Sequence, residues 1–85
     1  MNNRTRASIL QTYDVEVSKM IANRKNISEM DGFRLFASSE IHRMLEDDNL
    51  RMWHFSPLAI FDMWENEIET GDPRNSLYLR GDEIE

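Results

Sequence analysis

The stretch Ser56-Pro57-Leu58-Ala59-Ile60-Phe61-Asp62-Met63-Trp64-Glu65-Asn66-Glu67-Ile68-Glu69-Thr70-Gly71-Asp72-Pro73 carries the clearest punctuation in the chain. A serine followed by a proline marks a helix start. The serine hydroxyl accepts a backbone N–H of the first turn, and proline at the first helical position lacks an N–H that would have had no partner there. Ile60, Phe61, Trp64 and Ile68 then recur at helical spacing and are expected to face inward, with Asp62, Glu65, Glu67 and Glu69 outward. Gly71 suits the left-handed residue that closes a helix, and Asp72-Pro73 stops its continuation. A helix from about Pro57 to Glu69 is expected.

Upstream, Leu50-Arg51-Met52-Trp53-His54-Phe55 is short and aromatic and reads as an extended connector or a single edge strand, and one strand makes no sheet. Ser38-Ser39 restarts the chain before Ile41, Met44 and Leu45, the apolar edge of a third helix. That helix should end at or before Glu46, because acids suit the negative end of a helix poorly. Ser28 is a plain N-cap for a second helix, Glu29 to Ala37, with Met30, Phe33, Phe36 and Ala37 at helical spacing and its two phenylalanines read as core. Gly32 inside it costs about 1 kcal/mol relative to alanine unless a neighbour approaches closely there. At the start of the chain Ile9, Leu10, Tyr13, Val17, Met20 and Ile21 fall on one stripe of a long helix, Thr5 to Asn23, which stops near Asn26. At the other end, Arg74 to Glu85 form an acidic tail whose apolar residues are Leu77, Tyr78, Leu79 and Ile84, either docked by the first three or flexible. The expected fold is all-α: a single helical domain over residues 1–85, about four helices in a compact orthogonal or bundle-like arrangement, with one long N-terminal helix, a short connector and that tail.

The chain has 85 residues, 40% apolar and 31% charged, which bounds it to one small domain. A domain of this size buries only about 60% of its unfolded surface, so a partner or self-association is expected to share in its stability. Helix one offers a homodimer seam through Ile9, Tyr13, Val17 and Met20. The absence of cysteine excludes disulfides and thiolate metal sites. The apolar stretch after Arg6 is broken by Gln11, Asp14, Glu16 and Lys19, unlike a secretory leader, and no run approaches the ~18 apolar residues of a membrane span. A cytoplasmic protein is expected. The net charge of -6 is uneven: residues 1–26 hold five Lys/Arg against two acids, and residues 27–85 hold five Arg against fourteen. Such a balance disfavours nucleic acid and favours a cationic protein partner.

No constellation of catalytic type stands out. His42 and Glu46 share a helix face at a spacing that a metal would need, but without a second histidine, and His42 is expected to face solvent. His54 lies between Trp53 and Phe55 with no nucleophile or orienting acid beside it, so a small hydrolase has the least support. No glycine-rich phosphate loop is present, no cofactor or metal is expected, and Arg80-Gly81-Asp82 is a chance tripeptide. The third helix offers only His42 and Arg43 before three acids, a poor recognition helix for DNA. The candidates are contact residues. Asp62, Glu65, Glu69 and Asp72 would supply attraction, while Trp53, beside Met52 on the connector, and Arg74 and Tyr78 would supply contact area.

The strings Trp53-His54-Phe55-Ser56-Pro57, Asp62-Met63-Trp64-Glu65 and Gly71-Asp72-Pro73-Arg74-Asn75-Ser76, with Phe33-Arg34-Leu35-Phe36 upstream, resemble an uncharacterised family of short bacterial proteins. The likeness covers Ser28 to Leu79 and implies a small, helical, cytoplasmic protein, often encoded beside a predicted toxin of ADP-ribosyltransferase type. It therefore implies an antitoxin-like or accessory role and supplies no catalytic residues. The expected function is a small acidic protein-binding module that covers a basic surface. The alternative is a dimeric DNA-binding regulator that meets phosphates through Arg4, Arg6, Lys19, Arg24 and Lys25.

Overall fold

The computed structural model describes residues 3–76, and among them the chain is all-α: four α-helices with no strand. Helix α1 spans Asn3–Lys25, α2 Glu29–Ala37, α3 Glu40–Glu46 and α4 Pro57–Thr70. Single 3₁₀ turns cover Asp48–Leu50, Met52–His54 and Pro73–Asn75. The 23 residues of α1 reach about 35 Å at 1.5 Å per residue, which matches the longest dimension of the molecule, 36 Å. The shortest dimension is 18 Å, about two helix diameters, so the helices pack in two layers.

Local chemistry sets the ends. Asn26 takes the left-handed conformation at φ 58°, and the Ile27 N–H returns to the Ala22 carbonyl at 3.0 Å, closing α1 in a Schellman arrangement. Ser28, Ser39 and Ser56 cap α2, α3 and α4 by accepting the N–H of Asp31, His42 and Ala59. Gly71, at φ 84°, caps α4, whose last residue, Thr70, lies one beyond the predicted end at Glu69. Helix α3 has a second cap that sequence did not show: the Glu67 carboxylate of α4 accepts from the N–H groups of Glu40 and Ile41 at 2.8 and 2.9 Å. A seven-residue helix is too short to hold itself, and this clamp ties it to α4.

The core takes Tyr13, Val17 and Ile21 from α1, Phe36 from α2, Ile41, Met44 and Leu45 from α3, and Ala59, Ile60, Phe61, Met63 and Trp64 from α4. Ile9, Leu10 and Met20 pack half-buried against it, as the stripe on α1 predicts. Since Tyr13 and Val17 are consumed by this core, the predicted homodimer seam is not available at the surface. Two core expectations fail. Phe33 and Ile68 are exposed, as are Met30 and Ala37 on the same stretch of α2, because the apolar arcs of α2 and α4 are wider than the neighbours that cover them.

The connector is neither extended nor a strand. Arg51 turns through the left-handed region at φ 51°, and the two flanking 3₁₀ turns drive Met52 into the core. Tyr13 holds the turn from across the core: its hydroxyl lies 2.9 Å from the Trp53 carbonyl and also contacts that of Phe55. The Trp53 indole donates to the Leu45 carbonyl at 2.8 Å. After α4 the chain folds back, with Pro73 and Ser76 buried and Ser76 donating to the Asp62 carboxylate at 2.6 Å. The rest of the predicted tail, residues 77–85, lies outside the described residues.

Candidate functional site

The crossing of α1 and α2 shapes an apolar recess on the surface. At Gly32 the two backbones nearly touch: a Cβ there would stand 2.6 Å from the Ser18 carbonyl oxygen and 3.3 Å from the Ala22 nitrogen. The close neighbour that makes glycine worth its helical penalty is therefore α1 itself. Beside this contact the helices diverge and leave a groove of about 330 Å³ lined by Asp14, Val15 and Ser18 of α1 and Glu29, Met30 and Phe33 of α2. Val15, Met30 and Phe33 are 42%, 63% and 40% exposed, which is unusual for three large apolar side chains that face one another. Glu29 and Asp14 stand at the rim. Ser18 Oγ, beneath the groove, is buried without a hydrogen-bond partner.

Asp14 joins this rim to a network of polar side chains. Its carboxylate lies 2.8 Å from His42 Nε2, and Glu46 lies 3.4 Å from His42 Nδ1. The His42 side chain is only 14% exposed and meets the Phe36 ring edge-on at 4.9 Å, so the solvent-facing histidine of the sequence reading is instead a link between α1 and α3. No cluster of three metal-ligating side chains occurs among the described residues. His54 is exposed, with its Nδ1 2.7 Å from the Arg51 carbonyl and its ring against Phe55.

The predicted contact residues do not form one surface. Trp53 is half-buried and hydrogen-bonded rather than a free anchor, and its neighbour Met52 is core. Asp62 faces Asn66 and Ser76, and Glu67 caps α3, so neither is part of a solvated acidic face. Asp72 caps its own turn by accepting the Arg74 N–H at 2.9 Å, and the exposed Arg74 side chain returns to the same carboxylate. Glu65 and Glu69 do share a recess, but with Arg24, Lys25, Trp64 and Ile68. Arg24 pairs with Glu65 and sits 5.5 Å above the Phe61 ring, while the Lys25 ammonium lies 5.9 Å from the Trp64 ring. This side of α4 is thus close to neutral. The same contacts engage two of the five cations that a DNA backbone would need. Tyr78 lies outside the described residues, as do the side chains of Arg4 and Arg6.

Sequence reasoning missed Val15, Met30, Phe33 and Glu29 as a group. The available signal was Gly32: a glycine inside a helix marks a close crossing, and residues beside a close crossing are splayed outward. Comparison with protein-family models, curated proteins and solved structures finds no match for this chain. No helix among the described residues is long and apolar enough to cross a membrane.

Proposed function

We propose that this protein is a binding module for another protein, and that the groove between α1 and α2 is where the partner docks. The observation that carries the reading is the convergence of Val15, Met30 and Phe33, exposed and uncovered, in one recess whose ionisable lining is acidic. Exposed apolar side chains scattered singly need no explanation, but a facing set does. The net charge of -6 supports a cationic partner, and the family resemblance adds an antitoxin-like role in which that partner is a toxin encoded nearby.

A photo-crosslinking residue at position 33 tests this in the source cells. One protein crosslinked at that position, and no longer crosslinked once Val15→Gln and Met30→Gln are added, is the expected result. If the partner is a toxin, co-expression of the unaltered chain restores growth and the double variant does not. A partner retained by the double variant would move the docking surface elsewhere.

A further inference from the structure

We infer that the groove receives an amphipathic helix carrying lysine or arginine beside its apolar stripe, a step that rests on the groove being the docking surface. Its shape argues for a helix. Each wall offers residues at the same offsets, Asp14, Val15 and Ser18 on α1 and Glu29, Met30 and Phe33 on α2, so a third helix can seat apolar side chains spaced three and four residues apart between them. No strand edge is exposed among the described residues, which removes the other common way of binding a peptide backbone.

Charge chooses the partner. Glu29 makes no hydrogen bond or ion pair among the described residues, and Asp14, although held by His42, adds a second carboxylate to the lining. Lys19, one turn beyond Val15, and Arg34, paired with Asp31, are the nearby cations and leave the margin acidic. A second copy of the chain, itself at -6, meets repulsion there. So does the chain's own segment 77–85, where Asp82, Glu83 and Glu85 oppose Arg80. A cationic helix satisfies both features: its apolar side chains cover Val15, Met30 and Phe33, and its flanking cations meet Glu29 and Asp14.

The test uses the full chain and a labelled designed peptide of about 18 residues, with leucines on one helical face and lysines flanking them, against a control carrying glutamate at every lysine position. The lysine peptide is expected to bind with saturable anisotropy and to shift the amide resonances of Val15, Met30 and Phe33, leaving those of Glu65 and Glu69 in place. Glu29→Lys is expected to weaken it about fivefold and to reduce its salt dependence. Equal binding of both peptides, shifts confined to another face, or no saturation by about 1 mM overturns the inference. Light scattering that shows a dimer abolished by Phe33→Gln overturns it too, with a second copy as the occupant. Failure of the peptide while the crosslink at position 33 persists removes the cationic helix and spares the docking surface. Loss of both removes the two together.

Discussion

Gly32→Ala is the sharpest test of the packing, because propensity and contact geometry predict opposite signs. In an exposed helix interior the change stabilises by about 1 kcal/mol. Here the added Cβ would meet the Ser18 carbonyl oxygen at 2.6 Å, where ordinary contact begins at 3.4 Å, and the Ala22 nitrogen at 3.3 Å. Both are backbone atoms of α1, so no side chain can rotate away and the helices must separate by about 0.8 Å. Overpacking of a rigid contact costs about 1–3 kcal/mol, and the backbone identity of the neighbours places this case near the top of that range. After the helical gain is subtracted, the variant is expected to be less stable by about 2 kcal/mol, a fall in Tm of about 8–16 °C for a domain this small. Urea unfolding followed by circular dichroism, with a thermal melt, measures it. A Tm equal to or above that of the parent would show that α1 and α2 do not touch at Gly32, and the account of the groove would fall with it.

Glu67→Ala should destabilise by about 2 kcal/mol in the same denaturation assay, because two backbone N–H groups of α3 lose a charged acceptor, and Glu67→Gln should fall between it and the parent. Tyr13→Phe should lose about 1 kcal/mol at neutral pH through its bond to the connector. Burial raises the Tyr13 pKa above its usual 10.0. The unfolded chain then ionises this group before the folded one does, so the stabilisation is complete below pH 10.0 and is lost as pH rises through the folded value. Stability of the parent above pH 10.0 should consequently fall more steeply than that of Tyr13→Phe, and equal slopes would discount the burial. Met30→Gln with Phe33→Gln should stay within about 1 kcal/mol of the parent, and a large loss of stability would mean that these side chains belong to the core.

What sequence made legible is what short-range chemistry decides. The caps at Ser28 and Ser56, the αL stop at Asn26, the glycine stop at Gly71 and the stripe on α1 each depend on atoms a few residues apart, and all are found where periodicity and capping put them. The failures share a different origin. Glu67 reads as one more surface acid until α3 arrives from 27 residues away to be capped, and His42 reads as exposed until Asp14 is brought to it across 28. The connector reads as extended until Tyr13, 40 residues upstream, gathers its carbonyls. Phe33 and Ile68 sit at correct helical spacing, but spacing fixes only direction from the helix axis and not whether another element covers that direction.

The candidate site follows from the same crossing that makes glycine necessary. Where two helix backbones approach this closely, as at Ser18 and Gly32, only a residue without a side chain fits between them. Val15 and Phe33 line the groove beside that contact, so their exposure goes with a close helix crossing. Fold and binding are therefore separable in one direction only. Met30 and Phe33 can change without loosening the contact, so their variants should lose the partner and keep the fold. Gly32 cannot: a residue larger than glycine wedges α1 from α2, and the walls of the groove move with them. A Gly32→Ala chain that is still folded in the cold should therefore bind the lysine peptide less well, even though no atom at position 32 faces the groove.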